Sequence, residues 1–374
     1  MGERAGVTVL SFLKKNTVAV IAFIAAVITV IFVPFDKEYV GYFDFKTLTC
    51  LFCVSAVVAA LKNINFFYIL AYNIVRIFKN ARACVLALVY VTFIGSMLIA
   101  NDMALITFLP LGYLVLTAAN KSENMAFTFI MQNIAANLGG MLTPFGNPQN
   151  LYLYTKFNIP TLDFTAVMIV PFIISVALIT VCCFVFVKKE KLEMEPAEES
   201  LPPLKTVVYL ILFALSVLVV FRAVPYVAGL VAVPLIILVF DRKALLSVDY
   251  PLLFTFVFFF VFAGNVSRIP IIGSFISSLT ERDVFVSGVL SCQVISNVPS
   301  AILLSRFTEN WRELLLAVNI GGVGTIISSL ASLITFREYL KHNPKKALSY
   351  LLKFSAFNFS FLVVLSAVVI LFLR

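Results

Sequence analysis

The chain has 374 residues, of which 61% are hydrophobic and 13% charged, with a mean hydropathy of +1.04. No soluble core hides that much apolar surface, so the composition indicates an all-α polytopic membrane protein. The net charge of +9 does not describe a nucleic-acid-binding face either. Lys and Arg stand in short groups between apolar runs, the distribution that orients helices in a bilayer.

Taken in chain order, 1–15 is too short and too charged for a cleavable leader, and the first crossing is expected over 17–34. A second crossing, 47–61, leads to an amphipathic stretch, 66–78. The next apolar run, 83–117, holds Asn101 and Asp102 at its centre and reads as a re-entrant hairpin with those residues at its tip. It is followed by 124–155, which contains Asn137-Leu-Gly-Gly-Met-Leu-Thr-Pro-Phe-Gly-Asn-Pro-Gln-Asn-Leu151, a run that regular helix cannot survive. One more crossing, 164–187, closes a first repeat, 1–187. The charged, Pro-containing segment 188–205 reads as a solvated cytoplasmic linker.

The second repeat, 206–374, begins with crossings at 206–221 and 223–240. From there the order of parts matches the first: a span at 250–267, an amphipathic stretch at 269–279, a hairpin at 284–305 and an interrupted helix at 314–336. The hairpin carries Ser296, Asn297 and Pro299. Its second leg, Val298 to Ser305, rises about 12 Å as helix, too little to cross hydrocarbon about 30 Å thick. The second interrupted run reads Asn319-Ile-Gly-Gly-Val-Gly-Thr-Ile-Ile-Ser-Ser-Leu-Ala-Ser-Leu333, with Asn137/Asn319, Gly139/Gly321, Gly140/Gly322, Thr143/Thr325 and Leu151/Leu333 identical. A last crossing covers 354–373. An odd number of crossings separates the matched spans, so the halves are expected to be inverted in the membrane. The excess of Lys and Arg in alternate loops puts the N-terminus and linker in the cytoplasm and the C-terminus outside.

Paired, interrupted hydrophobic segments in two halves of a membrane protein point to a transport site. Asp102 is costly between apolar legs, which suggests that a cation, a proton or a basic partner offsets it. Asn101 and Asn297 carry amide groups that can contact an anion or a cation. Gly146 and the prolines around it free backbone carbonyls, while Thr143, Asn147 and Asn150 add side-chain oxygens suited to a hard cation. The second copy offers Thr325, Ser328 and Ser329. Asn101, Asp102, Thr143, Asn147, Asn297 and Thr325 are therefore the expected substrate contacts. Asn101, Asp102, Gly146, Asn150, Ser296, Asn297, Ser328 and Ser329 are the expected coupling-ion contacts.

No catalytic set stands in the apolar runs: the one histidine, His342, is expected in a charged loop, and no paired carboxylates occur in those runs. The six cysteines, including the Cys50–Cys53 CxxC, fall in apolar runs and read as buried thiols rather than metal or redox centres. The expectation is a non-enzyme with no cofactor beyond a possible coupling Na+.

At Asn101-Asp102, at Thr143-Pro-Phe-Gly-Asn-Pro-Gln-Asn150 and at Ser296-Asn-Val-Pro299 the chain resembles the ion transporter superfamily. That group includes arsenite efflux pumps, citrate–metal symporters, divalent anion–sodium symporters and sodium/proton antiporters of the same fold. The resemblance implies a homodimer with a scaffold unit and a mobile transport unit, moving by elevator-type alternating access. Dicarboxylate symporters have Ser-Asn-Thr at both tips, whereas this chain has Ala100-Asn101-Asp102 and Ser296-Asn297-Val298, closer to the arsenite and citrate–metal branches. The function expected is secondary transport of a small anion or oxyacid, a carboxylate or an inorganic, arsenite-like species, coupled to H+ or Na+ across the plasma (inner) membrane. The alternative is a sodium/proton antiporter exchanging at Asp102.

Overall fold

A computed structural model describes residues 16–191 and 201–373. The expectation for 1–15, and that for the middle of the linker (192–200), lie outside the described residues. All named elements are helical. They run α1 Thr17–Phe32, α2 Phe45–Asn63, α3 Phe66–Val75, α4 Ala81–Ile99, α5 Asn101–Ala118, α6 Met125–Gly139, α7 Pro148–Lys156, α8 Thr161–Phe186 and α9 Pro203–Val220. They continue with α10 Tyr226–Phe240, α11 Arg242–Leu246, α12 Tyr250–Arg268, α13 Pro270–Arg282, α14 Val284–Ile295, α15 Asn297–Leu304, α16 Trp311–Ile320, α17 Leu330–His342 and α18 Ala347–Val368.

Among the described residues, 7 helical stretches are long and apolar enough to cross a membrane, so the chain is an all-α polytopic membrane protein. Helix α8 carries large apolar side chains such as Ile173, Val181 and Phe184 on an exposed surface, as lipid contact requires. The expected crossings at 17–34 and 223–240 correspond to α1 and α10, which have only 16 and 15 residues. His342, expected in a loop, instead ends α17 and stacks on Tyr113 with ring centroids 3.5 Å apart.

Matched helices start on matched caps. Asp44 accepts from the Thr47 N–H at 2.9 Å to open α2, and Asp249 accepts from the Leu252 N–H at 3.1 Å to open α12. An N-cap side chain satisfies an amide that has no partner within the helix. Asn80 and Asp283 open α4 and α14 in the same way, at 2.9 and 2.8 Å.

The helices pack as two groups. One holds α1, α2 and α9 to α12, with α2 against α9, α10 and α11, and α12 against α1. The other holds α4 to α8 and α14 to α18. Within the second group the packing is reciprocal: α5 lies on α17 and α15 on α7, α4 on α6 and α14 on α16, α8 on α6 and α18 on α16. Between the groups that correspondence stops. Helix α2 packs on α7, whereas its counterpart α12 packs on α15.

Candidate functional site

Both sequence interruptions break helix where Gly and Pro demanded it. Helix α6 passes through a short 3-10 turn, Gly140–Leu142, and stops, and α7 resumes at Pro148, whose missing N–H suits a first helical position. The second break separates α16 from α17. The two apolar hairpins turn on single residues, Ala100 (φ 65°, ψ 152°) and Ser296 (φ 75°, ψ 159°). A side chain there costs on the order of 1–3 kcal/mol, so the surroundings must hold the backbone in place.

What holds it is the helix break of the same half. The Asn101 N–H donates to Gly146 O at 3.2 Å, and the Asn297 N–H donates to Ser328 O at 2.9 Å. Each tip asparagine also accepts, at 2.9 Å, the N–H of the residue after it, Asp102 or Val298. Thr143 Oγ1 donates to Met97 O at 2.8 Å and Thr325 Oγ1 to Gln293 O at 3.0 Å, tying each break to the preceding leg of its hairpin. The first tip thus reaches the middle of the α6–α7 element, not its far end.

Asparagines then join the halves across the centre. Asn147 Nδ2 donates to Asn319 Oδ1 at 3.2 Å, and Ser329 Oγ donates to Asn137 Oδ1 at 2.8 Å. These are counterpart bonds, as in an isologous interface where each half repeats the other's contact. Asn137 Oδ1 also receives Asn101 Nδ2 at 3.2 Å, while Asn319 Nδ2 donates to Asn150 Oδ1 at 2.6 Å. The chain of amides continues to Asn133, which donates to Asn358 Oδ1 at 3.3 Å. Sequence reading had matched Asn137 with Asn319 without giving them a role. The spacing of Asn133 and Asn137, one helical turn apart in an apolar run, was the available signal.

A cavity of about 540 Å³ lies against this network. Of the expected contacts, Asn101, Asp102, Ser296, Asn297 and Ser329 line it. Thr143, Gly146, Asn147, Asn150, Thr325 and Ser328 stand behind its wall, where they fix the breaks and tips. Four helices begin at its surface: α5 at Asn101, α7 at Pro148, α15 at Asn297 and α17 at Leu330. The N-terminal end of each helix carries positive partial charge, so all four favour a negative occupant. Gln149 lines the cavity with its buried Oε1 unpartnered, and Asp102 Oδ1 is likewise buried without a hydrogen bond. Lys62, Asp249 and Arg337 also line the cavity. Gln149, Lys62, Asp249 and Arg337 are not among the contacts expected from the sequence.

Asn16, Lys62 and Asp249, all at helix ends, are among the lining residues. Away from the cavity lining, two arginines tie loops to neighbouring elements. Arg222, between α9 and α10, donates to Tyr154 O at 2.6 Å and Ile159 O at 3.1 Å and stacks on the Tyr154 ring at 4.2 Å. Arg306, after α15, donates to Tyr42 O at 3.0 Å.

Residues 7–310 match the citrate transporter family. An uncharacterized transporter of Methanocaldococcus jannaschii is 34% identical over 301 residues, 79% of this chain and 81% of that protein. The inner membrane protein YbiR of Escherichia coli is 29% identical over 318 residues, 82% of this chain and 83% of that protein. A shorter match, 33% identical over 99 residues, covers 26% of this chain and 17% of a Dictyostelium discoideum protein bearing the name transporter arsB.

Proposed function

Because this chain belongs to the citrate transporter family and is an integral membrane transporter, we propose that it is a secondary transporter of a small anion or oxyacid, coupled to H+ or Na+. The observation that carries the reading is the single cavity onto which both hairpin tips and four helix N-termini open. Asn101 and Asn297 would hold the anion through their amides, with the aligned helix ends supplying positive potential and Lys62 and Arg337 drawing anions toward the mouth. The coupling ion would sit among Asp102, the carbonyls freed at Gly146 and Ser328, and the oxygens of Thr143, Asn147, Asn150, Ser296, Thr325 and Ser329.

The matched hydrogen bonds and the reciprocal packing support an inverted repeat with re-entrant tips. The two packing groups support a scaffold, α1, α2 and α9 to α12, and a transport unit, α4 to α8 and α14 to α18, that moves as an elevator. With the N-terminus in the cytoplasm of an inner membrane, the cavity would open toward the cytoplasm past Asn16, Lys62 and Asp249. A homodimer through the scaffold completes this arrangement.

The test is a panel of citrate, dicarboxylates, sulfate, phosphate and arsenite, each with and without Na+, read by the Tm of purified protein and by uptake into proteoliposomes. A ligand at 100 times its Kd stabilises the folded state by about 2.7 kcal/mol. One member of the panel is expected to raise Tm and to accumulate under an imposed gradient. Na+/H+ exchange with no response to any anion would replace this reading with the antiporter.

A further inference from the structure

We propose that Gln149 is a specificity-determining residue: it selects small oxyacids that keep an O–H group beside an oxygen acceptor and turns away anions without one. This deepens the anion-transport reading above and rests on it. Gln149 is 1% exposed and lines the cavity from the first turn of α7, yet its Oε1 has no hydrogen-bond partner among the described residues. A buried acceptor left unsatisfied is costly, so an occupant that brings a donor is favoured there. No bond anchors that oxygen, so the amide can turn toward the cavity without giving one up. Its neighbours are committed elsewhere: Asn147 Nδ2 donates to Asn137 O and Asn319 Oδ1, and Asn150 Nδ2 donates to Gly140 O.

The backbone of the same residue supplies a matching donor. Of the four helix N-termini at the cavity, three have an N–H already taken by a side-chain oxygen: Asn101 takes that of Asp102, Asn297 that of Val298 and Ser329 that of Ala331. At α7 the N-cap residue Asn147 makes no such bond, and the Gln149 N–H meets no acceptor among the described residues. Gln149 thus offers one N–H and one carbonyl oxygen to a cavity whose helix ends favour negative charge. An oxyacid with an O–H next to an oxygen acceptor satisfies both groups. A fully deprotonated anion satisfies only the N–H and sets its charge against the lone pairs of Oε1. Turning the amide over exchanges its donor and acceptor ends and leaves both within the same residue. The counterpart of Gln149 is Ala331, whose N–H is capped and whose side chain has no polar atom, so the selection is made on one side only.

The experiment uses the full chain purified in detergent and probes matched in charge and size that differ in the O–H. These are hydrogenphosphate against sulfate and malate against succinate, in mildly alkaline buffer, with arsenite, hydroxylated on every oxygen, as a fifth probe. Tm is measured against the concentration of each. Wild type is expected to respond to the O–H member of a pair at a concentration lower by roughly tenfold or more than its partner, or to arsenite and to neither deprotonated probe. Gln149→Met keeps the length of the side chain and removes both polar atoms, and Gln149→Ala copies position 331. Each is expected to bring the members of the pair within about threefold by weakening the O–H member, or to need roughly tenfold more arsenite. A change that only disturbed the fold would weaken both members alike, so the ratio carries the result. A wild type that binds sulfate or succinate as tightly as its partner overturns the proposal and leaves the transport reading standing. So does a folded Gln149→Met or Gln149→Ala protein that keeps the wild-type ratio or the wild-type response to arsenite. A wild type that responds to no probe removes the transport reading and this inference with it.

Discussion

Replacing Gly140 by alanine tests whether the Asn147 bridge between the halves is as tight as its geometry implies. A Cβ at Gly140 would lie 2.2 Å from Asn147 Oδ1 and 2.7 Å from Gly146 O, far inside ordinary contact. Asn147 is fully buried, so its amide cannot swing aside without giving up its bonds to Asn137 O at 3.1 Å and Asn319 Oδ1 at 3.2 Å. Interhelical hydrogen bonds in membrane proteins contribute about 0.6 kcal/mol each on average, and overpacking costs about 1–3 kcal/mol. The sum is roughly 2–4 kcal/mol, concentrated at the centre of the site. The counterpart change, Gly322→Ala, meets the end of a side chain, Asn297 Nδ2, at 2.9 Å and the Asn319 carbonyl oxygen at a looser 3.2 Å, and Gly41→Ala meets nothing within 4 Å. Thermal unfolding and proteoliposome uptake should rank Gly140→Ala as most damaging, Gly322→Ala as intermediate and Gly41→Ala as silent. Wild-type stability and uptake in Gly140→Ala would refute the argument, as would a larger loss in Gly322→Ala.

Three further outcomes follow from other parts of the structure. Ala100→Gly should raise Tm, because relief of a φ of 65° outweighs about 0.5–1 kcal/mol of added chain entropy. Ser296→Gly should gain less, since it also removes the hydroxyl contact to Ser328 O at 3.3 Å, and a fall in Tm for Ala100→Gly would show that the turn is unstrained. The Arg268 guanidinium holds the Asp36 carboxyl below its ordinary value of 3.8, so the stability it adds is present above about pH 4 and lost on acidification through the lowered folded-state value. Asp36→Asn should accordingly be less stable than wild type at neutral pH, with the gap closing in acid, and a gap independent of pH would count against that assignment. Cysteines replacing Phe259 and Leu333, which line the cavity from α12 and α17, should stop uptake on oxidation and restore it on reduction. Undiminished transport by the oxidised pair would dismiss the idea that these helices must separate and approach.

Legibility from sequence followed the physics of the bilayer. Gly139, Gly140, Pro144 and Pro148 could not continue a helix, and Asn101, Asp102 and Asn297 could not sit unassisted in lipid, so breaks and tips stood out against uniform apolar runs. Lengths were less legible: α4 and α5 have 19 and 18 residues, long enough for full crossings. It is the bond from Asn101 to Gly146 O that sets their tip beside the middle of the α6–α7 element. The partners of the site were hidden for a different reason. Lys62 and Asp249 stand at ordinary helix ends, Arg337 in an amphipathic segment and Gln149 within a motif already crowded with candidates. Each becomes part of the cavity only through packing between segments far apart in the chain. Asn137 and Asn319 were visible as a match but not as a bridge, because their bonds cross from one half to the other.

The unequal packing of α2 and α12 has an energetic meaning of its own. On the alternating-access reading proposed above, identical halves would make an exchange of their roles cost nothing: α12 would lie on α17 as α2 lies on α7, and the two arrangements would be equally populated. Val54 and Leu151, which share a small chamber, correspond to Phe259 and Leu333, which share the large cavity. Any preference between the arrangements must therefore come from positions where the halves differ. Near the centre these include Asp102 against Val298, Gly146 against Ser328, Asn147 against Ser329, Pro148 against Leu330, Gln149 against Ala331 and Asn150 against Ser332. On that reading the degeneracy of a duplicated half is lifted by side chains such as these, and substitutions that make them alike would tune the balance between the arrangements.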